Sequence, residues 1–92
     1  MHRTIVEENH YIRSLYKLSE IYPRVHEVSD AIKWELARGP DRGEPIQEGS
    51  KYRLFITVPL LNIPAFTILY LYDDQKDPNH VYLQDIQVSE SM

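Results

Sequence analysis

From Leu54 to Tyr72 the chain runs for 19 residues without a formally charged side chain. That is about the length a helix needs to cross a bilayer. The same stretch contains Pro59 and Pro64 with Asn62 between them. Each proline would remove a backbone donor from the interior of such a helix. Its residues Ile56, Val58, Phe66, Ile68, Tyr70 and Tyr72 are β-branched or aromatic, and both ends alternate with a period of two, as pleated strands do. The segment therefore reads as two strands and their connection, with no membrane involved. In the first strand Tyr52, Leu54, Ile56 and Val58 share one face, and Lys51, Arg53, Phe55 and Thr57 share the other. The second runs from about Ala65 to Tyr72 and carries apolar residues on both sides, the pattern of a central strand.

The remaining elements fall around this pair. Arg3 to Val6 is a short strand, and Asn9 is the expected N-cap of a helix whose stripe is Tyr11, Leu15, Leu18 and Tyr22, widened by Ile12 and Tyr16. Pro23 is expected to close that helix and open a second one, which carries Val25, Val28, Ile32 and Leu36. Arg38-Gly39-Pro40 stops it, with the glycine read as a left-handed cap. Asp41 to Ser50 reads as loop, Asp73 to Asn79 as a turn, Val81 to Val88 as the last strand, and Ser89 to Met92 as a fraying tail. The order strand, helix, helix, strand, strand, strand predicts an α+β fold (β-α-α-β-β-β) forming a single domain over 1–92. A helical hairpin is expected on one face of a small antiparallel sheet, with the first strand at one edge.

Composition narrows the chemistry. With no cysteine there is no disulfide framework, thiolate nucleophile or cysteine-rich zinc site. His2, His10, His26 and His80 are scattered without metal-ligand spacing, and Asp73, Asp74 and Asp77 lack the glycine and glutamate of a calcium loop. No glycine-rich phosphate loop or nucleophile elbow is present, so no cofactor or metal is expected. A net charge of −4 supplies no general field for nucleic acid. The first residues have no apolar run of signal-peptide length, which predicts a cytoplasmic protein.

What stands out is a basic and aromatic group on the sheet. Lys51 and Arg53 sit two apart on one strand, and His80 stands at the mouth of the last strand near Tyr82. Metal-free RNA cleavage needs cations for the phosphate, a base for the 2′-hydroxyl and an acid for the leaving oxygen. Lys51, Arg53 and His80 are the candidate catalytic residues, and Tyr70, Tyr72 and Tyr82 the candidate faces for stacking bases. The blander alternative is that the two cations protect a sheet edge and the tyrosines are core with wet hydroxyls.

The tryptophan-bearing second helix leading into Gly39-Pro40, the segment Gly49-Ser50-Lys51-Tyr52-Arg53, and the segment Ile68-Leu69-Tyr70-Leu71-Tyr72-Asp73-Asp74 resemble the RelE/ParE superfamily of type II toxin–antitoxin toxins. The resemblance implies two helices on a small antiparallel sheet and a cognate antitoxin as partner. It also implies either ribosome-dependent mRNA cleavage, the mRNA interferase activity of RelE-type members, or inhibition of DNA gyrase, as in ParE-type members. Lys51 and Arg53 match the family's basic positions after the helices. Val81-Tyr82-Leu83-Gln84-Asp85-Ile86-Gln87-Val88 lacks the arginine of active nucleases, the third strand has none near its end, and the tail lacks a late tyrosine. A second reading is a non-enzymatic interaction module that forms a homodimer through a sheet edge or through the apolar loop Leu60-Leu61-Asn62-Ile63.

Overall fold

A computed structural model describes residues 2–89. The elements are β1 (Thr4–Glu7), α1 (Asn9–Ser19), α2 (Val25–Arg38), β2 (Glu44–Pro45), β3 (Tyr52–Ile56), β4 (Phe66–Asp73) and β5 (Asp77–Val88). They build a five-stranded sheet in the order β1-β5-β4-β3-β2. The neutral stretch forms β3, a connection and β4, which alternate on the pleated surface as expected. Among the described residues no helix is long and apolar enough to cross a membrane.

β4 lies at the centre of the sheet, as its two apolar faces predict. Phe66, Ile68, Tyr70 and Tyr72 point under the helices and are buried, while Thr67, Leu69 and Leu71 on the opposite face are partly covered. The helices complete the core with Tyr11 and Leu15 from α1 and with Val25, Ile32 and Leu36 from α2; Val81, Leu83 and Ile86 join from β5. These are the residues of the sequence's apolar stripes. Burying them removes apolar surface from water, the main term favouring the fold.

Several local expectations are corrected. The sheet is mixed: β3, β4 and β5 form an antiparallel meander, but β1 runs parallel to β5, with Ile5 opposite Val81. The cause is the connection. After β1 the helical hairpin reverses the chain twice, and the 39–51 segment returns it to begin β3 in the same direction as β1. Part of that returning segment pairs with β3 as the short edge strand β2, where a loop is expected. A proline is tolerated there because an edge strand has a side that needs no donor.

Helix boundaries also shift. Glu8, in an extended conformation, precedes α1 with no side-chain cap bond, so Asn9 is the first helical residue and not the cap. α2 begins at Val25, two residues beyond Pro23. Gly39 has φ −136° and is not left-handed. An added carbon there would meet only the side chain of Arg42, which is exposed and able to move aside. β5 begins at Asp77, four residues before Val81, because only residues 74–76 are needed for the turn. Of the tail, Ser89 donates its N–H to the Ala65 carbonyl at 2.8 Å, and residues 90–92 lie outside the described residues.

Candidate functional site

The β4–β5 turn and the start of β3 meet at one end of the sheet. Asp73 stands opposite Asp77 across the turn. One oxygen of Asp73 accepts the N–H groups of Gln75 and Lys76, both at 3.0 Å, which closes the turn. Those bonds, Lys76's foremost, hold the Asp73 carboxyl below the usual carboxylate range. Lys51 reaches in from the residue before β3, its Nζ 3.8 Å from Asp73 Oδ1 and 3.5 Å from Asp74 Oδ1.

Asp77 organises the other half. Its Oδ1 lies 2.7 Å from His80 Nδ1, and its Oδ2 accepts the Tyr82 hydroxyl at 2.6 Å. The His80 and Tyr82 rings stack with centroids 6.0 Å apart, as side chains two apart on one strand face can. The Tyr82 and His80 bonds hold the Asp77 carboxyl low, and the same carboxylate pushes the Tyr82 phenol up. A carboxylate bonded to Nδ1 orients an imidazole and leaves Nε2 to exchange a proton, the arrangement of an acid–base histidine. The surroundings are acidic, however. Asp73, Asp74 and Asp77 outnumber Lys51 and Lys76, a poor field for a phosphate. Among the described residues no group of three or more His, Cys, Asp and Glu side chains is placed to hold a metal ion.

The remaining candidates stand elsewhere. Arg53 is paired with Tyr70 across β3 and β4, and its Nη1 donates to the carbonyls of Gly43 at 2.6 Å and Asp41 at 3.3 Å. Its guanidinium therefore ties the 41–43 loop to the sheet, while Lys51 answers to the turn aspartates. Tyr70, expected to offer a stacking face, is wholly buried. Its hydroxyl donates to the Pro40 carbonyl at 2.8 Å and accepts the Gly43 N–H at 2.9 Å. Tyr72 is buried too, its hydroxyl donating to the Pro78 carbonyl at 3.2 Å. Their inward position follows from strand parity: both share the face of Phe66 and Ile68 that the helices cover. Of the three tyrosines only Tyr82 keeps a partly exposed ring. Asp77 is absent from the sequence-derived set because Asp-Pro-Asn reads as turn chemistry; its spacing of three and five to His80 and Tyr82 was the available signal.

A second feature lies on the opposite flank. Between α2 and the end of β3 runs an apolar groove of about 390 Å³, floored by Val28, Ala31, Ile32, Phe55 and Ile63. Beside it Ile56, Val58, Leu60 and Leu61 are exposed. The sequence marked the Leu60–Ile63 connection as apolar but could not show that α2 overhangs it.

Two helices lie on one face of a five-stranded mixed sheet that the chain enters by a parallel edge strand. A chain of the crystal structure of the toxin–antitoxin complex RelBE2 from Mycobacterium tuberculosis shares this fold. The alignment has a TM-score of 0.75 and 20% sequence identity, and covers 97% of this chain and 100% of that one. No protein-family profile matches the sequence, and no curated protein does.

Proposed function

We propose that this chain is the toxin-type member of a type II toxin–antitoxin pair, a cytoplasmic protein held by a cognate antitoxin. The observation that carries the reading is the end-to-end likeness in fold to a chain of a toxin–antitoxin complex. The site chemistry favours binding over cutting. Arg53 is spent on loop carbonyls and Lys51 faces two carboxylates, so the cations that a nuclease would turn to a phosphate already serve the protein. Expression of the chain alone should arrest growth, and co-expression of the small protein encoded beside it should restore growth and yield a stable complex of the two. A chain tolerated at high expression, with no neighbouring gene product that binds it, sinks the reading.

One observation favours a nuclease as the second reading. Asp77 orients His80 at the same end of the sheet as Lys51, with the half-buried Tyr82 beside His80. In that case His80 is the acid–base group and Lys51 the phosphate contact, with Arg53 fixing the loop behind them. Primer extension on translated mRNA should then show cleavage that falls by about 10²-fold in His80→Ala, the usual contribution of one acid–base group. Cleavage unchanged in both His80→Ala and Lys51→Ala removes it. Gyrase as the target would appear as arrested supercoiling without mRNA cuts.

A further inference from the structure

We infer that the flank formed by the β3 edge, the Leu60–Ile63 turn and the α2 groove is a twofold interface between two copies of this chain. Leu61 of each copy seats in the groove of the other.

Four observations converge on a second copy as the occupant. The first is the edge. The 44–46 segment covers β3 from Tyr52 to Leu54 and leaves Ile56 beyond it. Tyr52 turns its carbonyl toward β2, accepting the Ile46 N–H at 3.0 Å. Alternate residues of a strand direct their backbone groups to the same side, so Ile56 presents its N–H and C=O outward where β2 has ended. Ile56 pairing with Ile56 of an antiparallel copy would satisfy both groups at once.

The second is the turn. Leu60 and Ile63 exchange backbone bonds of 2.9 and 3.0 Å, with Asn62 taking the left-handed conformation at φ 66°. This rigid turn holds Leu61 at its tip, 87% exposed. An apolar side chain carried on an ordered tip docks without the cost of ordering the backbone beneath it.

The third is adjacency. A twofold contact requires one surface to contain both the projection and the recess that receives it. Leu61 is flanked by Leu60 and Ile63, which themselves line the groove, so one axis between knob and recess makes both insertions.

The fourth is charge. The whole chain carries −4 and repels its own copy. This flank does not: Leu54 to Tyr72 is uncharged, and the groove's acidic rim is compensated within the chain. Arg24 pairs with Glu27 at 2.9 Å and Arg42 approaches Glu35 at 4.0 Å. It is a neutral apolar patch on an acidic protein, the place where self-contact meets least repulsion.

The inference stands whether or not the chain is a toxin, and its test reads mass instead of growth. Sedimentation of the full chain between about 1 and about 200 µM should show a monomer–dimer equilibrium, the affinity range of small interfaces. Leu61→Glu should weaken it by about 30-fold, the effect of losing a central anchor. Tyr16→Glu, at a similarly exposed apolar position on α1, should not. Circular dichroism confirms that both variants are folded. Because the chain has no cysteine, a Leu61→Cys chain mixed with an Ala31→Cys chain should form the mixed disulfide faster than a Tyr16→Cys chain does with either. A strict monomer over that range overturns the proposal, as does a dimer indifferent to Leu61→Glu. A Leu61→Cys chain that cross-links no faster to Ala31→Cys than the control overturns the seating.

Discussion

At the scale of single residues, two buried phenols show how differently one side-chain type can be used. Tyr11 is fully buried on α1, with its hydroxyl 2.7 Å from that of Ser29 on α2. Burial, opposed in part by the Ser29 bond, pushes its pKa up to about 12. The folded chain thus holds this proton more tightly than the unfolded chain, where a phenol titrates near 10. The resulting stabilisation is fully present below pH 10 and is lost as pH rises through about 12, amounting to about 2–3 kcal/mol. Unfolding in urea at stepped alkaline pH should show that loss, and Tyr11→Phe should flatten the slope. Tyr70 spans a different gap, joining Pro40 and Gly43 of the loop to the sheet centre. Tyr70→Phe leaves the buried Gly43 N–H without its acceptor, and should lower the unfolding free energy by about 1–3 kcal/mol in urea melts. Gly43 itself has no room for a side chain: an added Cβ would stand 2.6 Å from the Leu54 carbonyl oxygen and 2.7 Å from the Tyr70 hydroxyl.

Among the elements, the strands and helices differ in how far local sequence specifies them. The α1 and α2 stripes and the run of β4 are readable because each has a face sorted against the core. β3 is readable by its alternation alone: its apolar residues Tyr52, Leu54 and Ile56 are exposed, and Arg53 and Phe55 take the side of buried Tyr70 and Ile68. The ends of these elements are not readable. α1 starts at a glutamate with no side-chain cap although an asparagine follows, since the Glu8 N–H donates to the Leu83 carbonyl at 3.0 Å and that tertiary bond sets where the helix begins. Glu8 already has the extended backbone of a cap. Glu8→Ser should therefore supply the missing side-chain bond and stabilise the fold by about 0.5–1 kcal/mol, seen as a raised denaturation midpoint at unchanged m-value. An unchanged or lowered midpoint would show that the Glu8 side chain contributes something its geometry does not reveal. β2 was unreadable for a simpler reason: two residues cannot carry a period.

For the molecule as a whole, the first and last elements close the fold. β1 pairs with β5, and α1 lies against β5 through Asp85, whose Oδ1 accepts the Ser14 hydroxyl at 2.8 Å and sits 3.2 Å from His10 Nε2. A bulge between Leu69 and Tyr70 of the β4 pairing accompanies this contact, because one residue of β5, Gln84, falls between their partners Asp85 and Leu83. Asp85→Ala removes the acceptor for Ser14. It should cost about 1–2 kcal/mol and lower the melting temperature by about 4–8 °C per kcal/mol in a scanning calorimeter. A melting temperature unaffected by Asp85→Ala would place the closing energy in the β1–β5 ladder and the apolar packing of α1 on β5. Apart from β2, the element order was present in the sequence itself, as were the two helices, the central strand and most of the core, because in α1, α2 and β4 apolar periodicity is a one-dimensional record of which face is buried. The structure alone decided that β1 is parallel to β5, that Tyr70 and Tyr72 face inward, and that Arg53 serves the loop. It alone set Asp77 between His80 and Tyr82 and made a groove beneath α2. Each of these depends on which residues, distant along the chain, come within bonding distance, and the short-range pattern of a sequence does not contain that information.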